Sequence, residues 1–105
     1  MATWDDVRRI CLALPNVEER GDTFRTNGRI FVNVSREPRA ISARAAGEEV
    51  ELLLQARPDI YFLTPHYEGW ETILVRLDAV DLDELAGTIE DAWAFVDAKR
   101  PRKNG

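Results

Sequence analysis

The sequence predicts an α+β fold, a two-layer sandwich whose antiparallel sheet of about five strands is covered by helices on one face only. Three observations lead there. Apolar residues recur at spacings of three and four near both ends of the chain, the period of a helix with one buried stripe. Between them the pattern changes to strict alternation over residues 29–35, the period of a half-buried strand. The turn signals between the strand segments are short, and short connections join antiparallel neighbours.

Trp4, Val7, Ile10, Cys11 and Leu14 share one helical face over residues 3–14. Thr3 suits the N-cap, Asp5 and Asp6 suit the positive end of the helix dipole, and Pro15 stops the helix. A short strand at Thr23 to Arg25 pairs with 29–35 through Thr26-Asn27-Gly28, because Asn-Gly tolerates the positive φ of a tight hairpin turn. Arg36-Glu37-Pro38-Arg39 turns into a third strand, Ala40 to Arg44. Glu48 to Ala56 reads as a short helix ended by Arg57-Pro58. Strands at Ile60 to Leu63 and Glu71 to Leu77 flank the loop Thr64-Pro65-His66-Tyr67-Glu68-Gly69. A last helix over 82–98 aligns Leu82, Leu85, Ile89, Trp93 and Val96, with Asp81 and Glu84 at capping-box spacing. The expected order is α-β-β-β-α-β-β-α. Alternation turns Ile30, Val32, Val34, Ile41, Ala43, Ile73 and Val75 toward the helices, and Arg29, Phe31, Asn33, Ser42, Arg44, Leu74 and Arg76 away from them.

Residues 1–98 are expected to form one domain, with 99–105 as a basic, disordered tail. No apolar run approaches the roughly 20 residues of a membrane span. The N-terminus lacks the pattern of a signal peptide, and a lone Cys11 allows no internal disulfide, so a cytoplasmic setting is expected. The net charge of −5 argues against a general nucleic-acid coat protein. Its distribution is uneven: residues 1–45 carry +2, residues 46–98 carry −11 and residues 99–105 carry +4. Such asymmetry points to a charged partner or a polar dimer.

One histidine and one cysteine cannot make a zinc site of His and Cys ligands, so no metal or other cofactor is expected. Cys11 shares a face with Val7 and Leu14 and reads as a buried thiol; His66, beside Pro65, reads as a residue that fixes its loop by hydrogen bonds. No nucleophile-base pair or tuned carboxylate pair is legible, and no catalytic residue is assigned. Asp83, Glu84, Glu90 and Asp91 lie opposite or beside the apolar stripe of the last helix, as a solvated face does. The glycines do not fall at phosphate-loop spacing.

The basic feature is sharper. Arg20, Arg25, Arg29, Arg36, Arg39 and Arg44 crowd the hairpin region against Asp22 and Glu37. With Phe31 between Arg29 and Asn33 on the open face, the arrangement suits phosphate contact and base stacking. The candidate nucleic-acid contacts are Arg25, Arg29, Phe31, Arg36, Arg39 and Arg44, helped by Lys99 and Arg100 of the tail. Two partner classes stay open: DNA, and another protein chain, a second copy included, docked on the open face or an edge strand; a minor ligand or metal role centred on His66 and Tyr67 is a third reading.

Four stretches resemble the MmcQ/YjbR family: Leu12-Ala13-Leu14-Pro15-Asn16-Val17-Glu18-Glu19, Asn27-Gly28-Arg29-Ile30-Phe31, Thr64-Pro65-His66-Tyr67-Glu68-Gly69-Trp70 with Leu74-Val75-Arg76-Leu77, and Asp91-Ala92-Trp93 running into Lys99-Arg100. Within the loop, Thr64, Pro65, His66, Tyr67 and Gly69 form the most specific motif. The resemblance implies a compact antiparallel α/β fold, laid out like CyaY and the type III secretion chaperones, in a family commonly labelled DNA-binding. The CyaY likeness adds a metal-gathering acidic surface as a sharper reading of the last helix, though the first helix lacks a dense acidic ridge. Two departures stand out, since Gly21-Asp22-Thr23-Phe24 lacks the family's proline and Glu71-Thr72 replaces its Pro-Trp.

Overall fold

A computed structural model describes residues 2–35 and 39–98. The order is α1 (Trp4–Leu12), β1 (Val17–Arg20), β2 (Thr23–Thr26), β3 (Arg29–Val34), β4 (Ala40–Arg44), α2 (Gly47–Ala56), β5 (Tyr61–Phe62), a 3-10 turn (Pro65–Tyr67), β6 (Thr72–Arg76) and α3 (Leu82–Asp97). The strands form a six-stranded antiparallel sheet in the order β1-β2-β3-β4-β6-β5, with the three helices on one side. The α+β sandwich expected from the sequence is therefore what the chain adopts. Among the described residues no helix is long and apolar enough to cross a membrane.

Caps set the helix ends. Thr3 accepts from the Asp6 amide at 3.2 Å while the Asp6 carboxylate accepts from the Thr3 amide at 2.9 Å, a reciprocal capping box. At α3 only half of the expected box forms. Asp81 accepts from the Glu84 amide at 2.8 Å, but the Glu84 carboxylate accepts from the Tyr61 hydroxyl instead. That hydroxyl also bonds Thr88 at 2.6 Å, so a wholly buried tyrosine of β5 ties the sheet to α3.

Two findings differ from expectation. The sheet gains a strand, β1, which pairs Glu19 with Phe24 and Arg20 with Thr23. Its bounds are backbone turns at Asn16 (φ 60°) and Gly21 (φ 58°). Its exposed, charged residues gave no alternation to read. The second difference is a β-bulge. Phe24 pairs with Val32 but Arg25 pairs with Ile30, leaving Phe31 as an extra residue on β3. Phe31 and Val32 therefore both enter the core, while Ile30 turns to the open face. This corrects the expected placement of Phe31 and Ile30. It also carries Arg29 to the side of Thr26, whose hydroxyl meets α3 at Asp97. Leu74 does face away from the helices, opposite Ser42 and Phe62, yet it is buried. Val34, expected in the core, is half exposed at the end of β3.

Candidate nucleic-acid interface

The β2–β3 hairpin is closed by Asn27 (φ 55°) and Gly28 (φ 77°), the paired positive φ values of a type I′ turn. The Asn27 amide donates to the Asp97 carboxylate at 3.2 Å, beside the 2.8 Å bond from Thr26, so the hairpin tip is anchored to the end of α3. The register then sets which residues gather near it. Val32 pairs with Ala43, and Arg44 pairs with Thr72. The hairpin, the end of β4 and the loop leading into β6 thus meet at one end of the sheet.

That loop is held by its own backbone. The Tyr67 amide donates to the Thr64 carbonyl at 2.9 Å, Trp70 to Tyr67 at 3.1 Å and Thr72 to Trp70 at 2.8 Å. Pro65 starts the 3-10 turn and Gly69 (φ 83°) supplies the left-handed step before Trp70. His66 is exposed and meets Tyr67 edge-on, ring centres 5.1 Å apart. The loop is fixed by main-chain bonds rather than by the expected hydrogen bonds from His66.

Between loop and sheet lies an open cavity of about 740 Å³. Ile30 forms its apolar floor beside the buried Phe31, Asn33 and Ser42 its polar part, and Tyr67 and Trp70 its outer wall. Ser42 donates to the Asn33 side-chain Oδ1, and the Asn33 side-chain Nδ2 donates to the Val34 backbone carbonyl at 2.8 Å, which fixes both groups. Arg44 closes one side. Its Nε donates to the Glu71 carbonyl at 2.9 Å and its guanidinium lies 5.7 Å from the centre of the Phe95 ring. Trp70 is 66% exposed, the largest aromatic surface among the described residues.

The arginines divide into groups. Arg20 pairs with Glu18 at 2.9 Å, and Arg39 pairs with Asp78. Arg39 also sits at the far end of β4 from Arg44, away from the hairpin. Arg25 and Arg29 are half-buried, their Nε atoms are shielded from solvent, and those atoms have no hydrogen-bond partner among the described residues. Arg76 stacks on Phe62 at 4.2 Å and donates to the Pro58 carbonyl at 3.2 Å. Arg36, Lys99 and Arg100, also candidates, lie outside the described residues. The register thus leaves Arg25, beside Ile30, and Arg44 on the open face, turns Arg29 to the side of Thr26, and separates Arg39 from all three. Phe31 is 0% exposed and cannot offer a free ring face. Trp70 occupies that place instead, and the sequence signal for it was its position directly after Gly69 in the most specific loop.

The acids gather elsewhere. Asp83, Glu90 and Asp91 are exposed on α3, and Glu49, Asp83, Glu84 and Asp91 line a groove between α2 and α3. Among the described residues no three His, Cys, Asp or Glu side chains are placed to hold a metal ion. On the surface, Arg8 lowers the Glu19 carboxyl, Arg57 lowers that of Asp59, and the Thr3 amide with Arg9 lowers that of Asp6.

A family model described as YjbR matches residues 12–95. Uncharacterized proteins of Mycobacterium tuberculosis and Mycobacterium bovis are 33% identical over 119 aligned positions, covering 95% of this chain and 92% of theirs. The crystal structure of a Deinococcus radiodurans protein carrying the domain DUF419 superposes with a TM-score of 0.78 at 24% identity, over 94% of this chain and 81% of that one. The likeness in fold, the match across nearly all of the described elements and the identity to the mycobacterial relatives agree, and the chain belongs to the YjbR family.

Proposed function

We propose that this chain is a non-enzymatic DNA-binding module that uses the open sheet face, with Arg25 and Arg44 meeting the phosphate backbone and Arg29 standing on the other side of the same hairpin. The observation that carries the reading is the shielded Nε of Arg25, without a hydrogen-bond partner among the described residues and paired beside Ile30 of the cavity that Arg44 closes. Buried donors without partners are rare in folded proteins, and an anion is a natural acceptor for a guanidinium. The concentration of acids on α2 and α3 reconciles this basic end with a net charge of −5. The non-enzymatic part of the reading is supported by Cys11, whose buried thiol is pushed up to about 12 and so is a poor nucleophile. A reducing, cytoplasmic setting suits that free thiol.

Edge-strand pairing with another protein has less support. The β1 edge carries Glu18, Glu19 and Arg20, and the β5 edge is two residues long, both devices that discourage strand addition. Fluorescence anisotropy with labelled duplex and single-stranded DNA tests the reading. Affinity is expected to fall with salt, by about 0.9 log units per log unit of salt for each duplex phosphate contacted. The Arg25→Ala/Arg44→Ala double variant should flatten that slope by about two contacts' worth. Absence of binding to either form at roughly 50 µM protein and low salt, where even non-specific binders are detected, refutes it.

A further inference from the structure

We infer that the open-face cavity seats one unstacked base of single-stranded DNA, with the Trp70 indole as its stacking platform; this rests on the DNA-binding reading above. A single exposed apolar residue is ordinary on a protein surface, but Trp70 stands on the wall of a concavity with an apolar floor. The loop fixes the backbone that carries the ring, through the main-chain bonds on both sides of Trp70 and the left-handed Gly69.

Duplex DNA offers base edges to a protein, its base faces being buried in the stack. A cavity walled by an indole and floored by Ile30 suits a base face, which only an unpaired strand exposes. The fixed polar groups fit the same occupant. The Ser42 hydroxyl and the Asn33 amide are committed to each other and to the Val34 carbonyl, so the polar part is pre-formed and weakly selective among bases. Arg44 at the cavity side and Arg25 paired beside Ile30 are placed for the phosphates that flank such a base.

The test titrates the intact chain with a fluorescein-labelled dT strand of about twelve nucleotides, inside the site sizes of ~4–16 nucleotides known for such surfaces. Parallel arms use the matching duplex and the ribose strand. The dT strand is expected to bind more tightly than the duplex and to quench tryptophan emission. Trp70→Ala should weaken dT binding about tenfold or more and abolish most of the quenching, while Trp70→Phe retains most of the affinity. Trp70 is exposed, so an unchanged melting curve for each variant confirms that the fold is intact. Equal affinity for duplex and single strand with no effect of Trp70→Ala overturns the inference and leaves the DNA reading standing. Tighter binding of the ribose strand overturns the assignment to DNA. No binding in any arm overturns both.

Discussion

At the scale of single residues, the account turns on side chains whose surroundings are unlike those of the same residue in water. Cys11 lies in the core, where burial first and the Glu19 charge second push its thiol up to about 12. Burial also raises the Tyr61 hydroxyl, and the hydrogen bond it donates to the Glu84 carboxylate raises it further. Both shifts have one sign. The native state holds protons that the unfolded chain releases, so stability is complete below pH ~8.5, where a free thiol is still protonated, and declines as pH rises toward about 12. Urea midpoints measured from pH 8 to pH 11 should fall, and Cys11→Ala should make that fall shallower although it lowers the midpoint overall; a midpoint independent of pH would contradict the assignment. Tyr61→Phe leaves Glu84 and Thr88 without their shared partner and should cost about 1–2 kcal/mol in the same assay. At Gly69 a new Cβ would meet nothing within 4 Å, so any cost comes from the backbone at φ 83°. Gly69→Ala should therefore lose about 1 kcal/mol and loosen the presentation of Trp70.

At the scale of elements, the hairpin anchor is the feature on which the site depends. Thr26 and Asn27 both donate to Asp97, the last residue of α3. Asp97→Ala removes both bonds and should cost about 1–3 kcal/mol. Amide exchange in β2 and β3 near the turn should quicken while α1 stays protected; uniform exchange across the chain would show that the anchor is not local. The elements also show what was legible beforehand. Helical spacing located α1 and α3, and Asn27-Gly28 located the hairpin, because those signals are local. The β1 strand was not legible, since Val17 is its one apolar residue and Glu18, Glu19 and Arg20 face solvent. The bulge at Phe31 could not be read either. Alternation assumes one residue per step, and a bulge breaks that count only in the presence of the partner strand. For that reason Phe31 was expected on the open face and Trp70 was left out of the candidate site, though its loop had been singled out.

At the scale of the whole molecule, the chain separates charge across its two layers. Arg25 and Arg29, whose Nε atoms have no partner among the described residues, lie in the hairpin, while the acidic groove lies between α2 and α3 on the helical side. The arginine cluster that looked continuous in the sequence is divided in space, as Arg20 pairs with Glu18, Arg39 with Asp78 and, at a longer 3.9 Å, Arg44 with Glu71. Arg44 borders the cavity with the exposed indole and Arg25 stands beside its Ile30, and the like charges of the helical layer should orient an approaching polyanion toward that side. The most direct measurement of this claim is a map of backbone amide shifts during titration with single-stranded DNA. The account predicts shifts at Ile30, Asn33, Ser42, Arg44 and Trp70, with α2 and the exposed face of α3 silent. Shifts confined to the helical layer would contradict it.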